Sequence, residues 1–173
     1  MKWTYFIAGI LIGFNAIGQS TADLDKKNGF REYTIGADLS SFTDKILLIK
    51  RMERDDAKLY KVKAPIIIED MPGEGEVELA SYKDRLVEIT IFFQQKTIDD
   101  YDNFKQSLTR LYGTPIDEST HKNKPAYLTE YDKILMWKGS VIGLQYNYDV
   151  SHKVIEIVYW GLNEVTEKSK EEF

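Results

Sequence analysis

TIDDYDNFKQSLTRLYGTP, residues Thr97–Pro115, carries both ends of one amphipathic helix and decides how the sequence around it is read. Thr97 can cap the first turn, and Asp99 and Asp100 set carboxylates beside the unpaired N–H groups and the positive end of the helix dipole. Tyr101, Phe104, Leu108 and Leu111 recur at three- and four-residue spacing, which makes one apolar stripe. Arg110 lies in the last turn, Gly113 suits a left-handed residue just past the end, and Pro115 bars continuation. Strand-like sequence flanks the helix on both sides, so it is expected to pack on the sheet those strands build.

Working back from it, Arg85–Phe93 and Val77–Tyr82 read as two strands joined by a tight turn at Lys83-Asp84. Val87, Ile89, Ile91 and Phe93 share one face of the later strand. Met71-Pro72-Gly73-Glu74-Gly75 reads as a loop, and Lys58–Lys63 alternates as a strand with one wet face. Asp38-Leu39-Ser40-Ser41 has the form of a helix start, with Leu39, Phe42, Ile46 and Ile49 at helical spacing. The run Ile46-Leu47-Leu48-Ile49 also suits a strand, and the cap before it favours helix. Phe30–Ile35 is a short extended entry.

Working forward, Ile116–Pro125 is polar loop. Ala126–Tyr131, Ile134–Lys138, Val141–Tyr148 and Lys153–Trp160 follow as a meander, with turns at Lys138-Gly139-Ser140 and Asp149–His152. The two halves echo each other: Arg85–Ile89 matches Lys153–Ile157, and Thr34-Ile35 with Asp38 and Phe42 matches Thr97-Ile98 with Asp100 and Phe104. Duplication of a helix-plus-meander unit and chance similarity of amphipathic strands both account for this. Either way the expected fold is α+β, an antiparallel sheet with two helices packed on one face.

Tyr82–Ile89, Leu111-Tyr112-Gly113-Thr114-Pro115 and the strand tryptophan Trp137 together resemble small exported bacterial α+β proteins of unassigned function. The layout is also similar to the tandem helix-plus-sheet modules of beta-lactamase inhibitor proteins and of outer-membrane assembly lipoproteins. These landmarks are structural, so the resemblance implies a fold and carries over no functional residue.

The N-terminal stretch MKWTYFIAGILIGFNAIGQS has one positive charge at Lys2, an uncharged apolar run Trp3–Phe14 and small residues at Ala16-Ile17-Gly18. This is the pattern of a secretory signal peptide cleaved after Gly18, or alternatively near Ser20-Thr21-Ala22. The apolar run is shorter than the roughly 20 residues that span a bilayer. The expected organisation is signal peptide 1–18, polar leader 19–29, one α+β domain 30–162 and a charged tail 163–173. Cysteine is absent, which removes disulfides, thiolate chemistry and the lipobox of a lipoprotein. With 23 Lys and Arg against 28 Asp and Glu the net charge is −5, and −6 without Lys2, which argues against nucleic acid or anionic lipid as partner.

Catalytic and metal signatures are sparse. His121 and His152 fall in a loop and a turn, with no second imidazole or thiol at ligand spacing. Asp99, Asp100 and Asp102 lack the order of a calcium loop and are accounted for by helix capping. No serine sits in a nucleophile elbow, and Gly73-x-Gly75 is too short for a phosphate loop. Neither a cofactor nor a metal is expected. A pair of carboxylates acting as a hydrolase stays open, because separation in space cannot be read from sequence. Aromatic residues are abundant in the last strands, and Tyr159 and Trp160 must point to opposite faces. An exposed strip of Trp137, Tyr146, Tyr148 and Trp160 is the candidate binding surface, against cross-strand pairing that only stabilises the sheet. The expectation is a periplasmic or secreted binding module without catalytic activity, and with a protein partner. The alternatives are an inhibitor docking Met71–Gly75 into a cleft, and a carboxylate hydrolase.

Overall fold

The computed structural model describes residues 20–51, 56–117 and 131–162. The expected signal peptide, the strand expected at Ala126–Tyr131 except its last residue, His121 and the charged tail lie outside the described residues.

Helix α1 spans Thr21–Lys27, where a loose polar leader was expected. Ser20 caps it, Asp23 lies in the first turn, Lys26 and Lys27 lie in the last, and Asn28 closes it at φ 48° with its N–H on Leu24 O. Seven residues are too few to be stable alone. Tertiary contacts hold them: Leu24 is fully buried, and Asp25 accepts backbone N–H bonds from Ser140, Val141 and Ile142 at 2.7–3.0 Å. A single buried leucine in a polar stretch gives no periodic signal, which is why the helix is hidden in the sequence.

A two-stranded hairpin follows, β1 (Gly29–Phe30) and β2 (Tyr33–Thr34). The expected helix after Asp38 shrinks to one 3-10 turn, Leu39–Phe42. Asp38 does cap it, through Ser40 N at 2.9 Å. Beyond it Ile46–Arg51 is strand β3, and only Ile46 among its side chains is buried. The helical spacing of Ile46 and Ile49 was therefore misleading: Ile46 is held by pairing with Val62, and Ile49 is exposed.

The large sheet contains β3, β4 (Ala57–Val62), β5 (Ile66–Ile68), β6 (Met71–Tyr82), β7 (Arg85–Phe93), β8 (Ile116–Asp117), β9 (Lys133–Lys138), β10 (Ile142–Asp149) and β11 (Val154–Gly161). Its order is β3-β4-β6-β7-β11-β10-β9-β8, with β5 folded onto β6 and every pairing antiparallel. The β6–β7 turn puts Lys83 and Asp84 at φ 50° and 59°, the mirror-image turn that matches strand twist. Each half of the chain is a meander, and their last strands, β7 and β11, meet in the middle. The pair Thr90↔Val158 has the same sequence separation as the match of Arg85–Ile89 with Lys153–Ile157. A local two-fold axis at that pair therefore takes Glu88 to Glu156 and Phe92 to Trp160. The strand halves follow the suspected repeat; the first helix does not.

Helix α2 (Ile98–Tyr112) bears out the reading of Thr97–Pro115. Thr97 and Asp100 form a reciprocal capping box, and Gly113 ends the helix at φ 83°. The buried stripe is Tyr101, Phe104, Leu108 and Tyr112, while Leu111 lies outside it and is exposed. The helix packs on β10: the Tyr101 ring lies parallel to Tyr146 at 4.6 Å, and Phe104 meets Tyr146 edge-on at 5.6 Å.

Candidate functional site

The four aromatic residues expected to form an exposed strip do not form one. Trp137, Tyr146 and Tyr148 are 1%, 0% and 3% exposed, beneath the helices. Along β10 the residues Ile142, Leu144, Tyr146 and Tyr148 share the face that meets α2, opposite Gly143, Gln145, Asn147 and Asp149. The polar ends of the three buried rings fix both ends of α2. Tyr148 Oη donates to Lys96 O at 3.0 Å just before the cap, Tyr146 Oη donates to Tyr101 O at 3.1 Å, and Trp137 Nε1 donates to Gly113 O at 2.7 Å. They are anchors of the helix.

Trp160 alone points to the other face, as the alternation with Tyr159 requires. It is half-buried because its ring lies over Gly143, where an added Cβ would come within 2.2 Å of it. A side chain on Gly143 would displace the indole, so the glycine here is a matter of close approach. Beside it runs a polar ladder in which Gln145 donates to Asn147 at 2.9 Å and Asn147 donates to Glu156 at 2.7 Å. Glu78, on the same face, has its carboxyl pushed up by burial and by Glu76 and Glu156, against the pull of Lys61.

Met71–Gly75 is not a protruding loop either. It is the first part of β6, paired with β5, with Met71 buried and Gly75 pressed against the Phe93 ring. Lys96, itself buried, donates to Pro72 O and holds the segment down. The structure removes the geometry a docking loop needs.

Two features outside these expectations have the shape of binding surfaces. The first is the sheet edge at β3. Among the described residues no strand pairs with its outer side, and Leu47, Leu48 and Ile49 are 57%, 48% and 49% exposed in succession, ahead of Lys50 and Arg51. Successive strand side chains point to opposite faces, so both faces of this edge are apolar. At the opposite edge of the sheet, β8 has two described residues, and among the described residues no such ribbon is found there. The sequence signal was present, in an apolar run followed by two cations. The spacing of Ile46 and Ile49 in that run fits a helix as well as a strand.

The second is a cleft of about 730 Å³ between α2, the β1–β2 hairpin and β5. Phe30, Phe104, Leu108, Ile157 and Tyr159 make its floor; Lys27, Arg31 and Arg110 stand at its rim with Glu69 and Asp70. Asp70 accepts from Ser107 Oγ at 2.7 Å and lies 3.6 Å from Arg110. Burial holds the Tyr159 hydroxyl neutral far above the ordinary tyrosine range. The two acids of this cleft are neighbours in the chain on one side of it, and one of them is engaged by an arginine. That is not the opposed pair a hydrolase needs. His152 is engaged with Asp149 at 2.5 Å in the β10–β11 turn, and among the described residues no three metal-ligating side chains gather. No helix among them is long and apolar enough to cross a membrane. Comparison with protein-family models, characterised proteins and solved structures finds no match to this chain.

Proposed function

We propose that this chain is an exported binding module of the cell envelope, without catalytic activity, that takes up an extended segment of a protein partner along the edge of β3. The observation that carries the reading is the run Leu47-Leu48-Ile49, exposed on both faces of an edge whose backbone N–H and C=O groups have no strand beside them among the described residues. Edges of this kind are normally blunted by charge, proline or brevity, because they template pairing with another chain. Here the protection is confined to the far end of a six-residue strand, a register shift between Leu48 and Lys50 and the cations Lys50 and Arg51, and leaves Leu47 and Leu48 unguarded.

Strand addition supplies affinity through main-chain bonds and specificity through alternate side chains. The fitting partner is an extended apolar segment with acidic residues opposite Lys50 and Arg51. An antiparallel second copy fits less well, since it sets Lys50 and Arg51 opposite the apolar start of the other β3 and gives them no acid to pair with. Export rests on the N-terminal pattern of Lys2, Trp3–Phe14 and Ala16-Ile17-Gly18.

The test uses tagged full-length chain expressed in its own host and recovered from the envelope fraction. Wild-type protein should retain one stoichiometric partner that Leu48→Lys loses and Leu111→Lys, an exposed change on α2, keeps. Retention by Leu48→Lys, or recovery of uncleaved protein from the cytoplasm, would overturn the reading.

A further inference from the structure

We infer that the cleft between α2 and the β1–β2 hairpin is a binding site for a small amphipathic acid, an apolar chain or ring system ending in one carboxylate. The volume of about 730 Å³ lies within the range of small-molecule sites, roughly 300–1,000 Å³. The apolar surface that reaches water in the cleft comes from Phe30, Ile68 and Leu111, over a floor of Ile157 and Tyr159 that face the helix layer from β11 and are themselves nearly buried. Phe30 approaches Tyr159 from the hairpin, ring to ring at 6.2 Å, and closes one wall. An apolar body is therefore what would take Phe30, Ile68 and Leu111 out of water.

The rim selects the sign of the head group. Three cations, Lys27, Arg31 and Arg110, stand against two acids, in a chain whose net charge is −5. Asp70 already engages Arg110 and Ser107, so among the described residues the cations left to a ligand are Lys27 and Arg31. Lys27 Nζ lies 5.3 Å from the Tyr112 ring centre at the cleft wall. Arg31 is held in place: one guanidinium nitrogen donates to Ile67 O, its head lies 5.3 Å from the Phe30 ring, and its backbone is left-handed at φ 53°. A guanidinium has five N–H donors in a planar fork, so that single bond leaves donors for a carboxylate. A cationic amphiphile would meet the same rim with repulsion. The inference is independent of what β3 binds.

The test is calorimetric titration of full-length protein with decanoate, decanol and decyltrimethylammonium, each below its micellar concentration. Decanoate should bind at one site at least 10-fold more tightly than decanol, and the ammonium should not bind. Lys27→Gln with Arg31→Gln should weaken decanoate at least 10-fold and leave decanol unchanged. Leu111→Trp, an exposed rim position that can fill the mouth without touching the core, should weaken both. Lys138→Gln, an exposed position at the end of β9 outside the cleft, should change neither. Equal affinity for decanoate and decanol, absence of binding, or binding indifferent to the rim variants would each overturn the assignment.

Discussion

Asp25→Ala tests whether the first helix is truly part of the body. Asp25 accepts from Ser140 N at 2.7 Å, Val141 N at 2.9 Å and Ile142 N at 3.0 Å, so one carboxylate holds α1 on the β9–β10 turn. A hydrogen bond to an ionised group contributes about 1.5–3 kcal/mol where water cannot replace it. Ser140 and Val141 lie at the surface and would rehydrate; Ile142 is buried and would not. Asp25→Ala should therefore lose about 2–3 kcal/mol, or about 4–12 °C in Tm for a domain of this size. Asp25→Asn keeps an acceptor and should lose about half as much. Burial pulls the Asp25 carboxyl up, but the three N–H groups outweigh it and leave it below the ordinary 3.8. A depressed pKa means stability that is present above the unfolded value and lost as pH falls through the folded one, so the gap between wild type and Asp25→Ala should narrow in acid. Thermal unfolding at pH 7 and at pH 3 reads both effects. A Tm within a degree of wild type at pH 7 would refute the reasoning and return residues 19–29 to a loose leader.

Further predictions follow from other contacts. An added Cβ at Gly139 would fall 2.2 Å from Asp25 Oδ1, so Gly139→Ala should destabilise wild type and be nearly silent in Asp25→Ala, as a double-mutant cycle would show. Tyr146→Phe keeps the stacked ring and strips the bond to Tyr101 O, and should cost about 1–2 kcal/mol in denaturant unfolding. Gly143→Ala should push the Trp160 indole off the sheet and shift its fluorescence to the red, with a loss of about 1–3 kcal/mol. The Glu78 carboxyl is raised above 4.5 chiefly by burial, so its stabilising form is the protonated one, lost as pH climbs through the raised value. Glu78→Gln should accordingly be more stable than wild type at pH 8 and no better at pH 4, as thermal unfolding at the two pH values would show.

What the sequence made legible was whatever repeats with a period or ends in a cap. Helix α2 has both, and its limits fall within a few residues of expectation. Strands β7, β10 and β11 announce themselves by alternation, and the Lys83-Asp84 turn by its place between two such runs. Helix α1 has neither signal: its stability comes from Leu24 and from a carboxylate meeting a turn more than a hundred residues away. The β3 run was ambiguous because Ile46 and Ile49 fit a helix as well as a strand, and the deciding fact, pairing of Ile46 with Val62, is tertiary. The burial of Tyr146 and Tyr148 was open to inference. They share a face of β10 with Ile142 and Leu144, and a row containing those two aliphatics belongs to the core. The cleft could not be foreseen, since its wall residues come from four separate stretches of chain.

The central claim, that β3 is where another protein docks, is most directly tested by placing a photo-activated crosslinking residue at Leu47, Leu48 or Ile49 in turn, with Asn103 on the outer face of α2 as control. Irradiation of the envelope fraction should give one adduct of common mass from all three edge positions and none from Asn103. Adducts from Asn103 as strong as from the edge, adducts only with a second copy of this chain, or no adduct at all would contradict it.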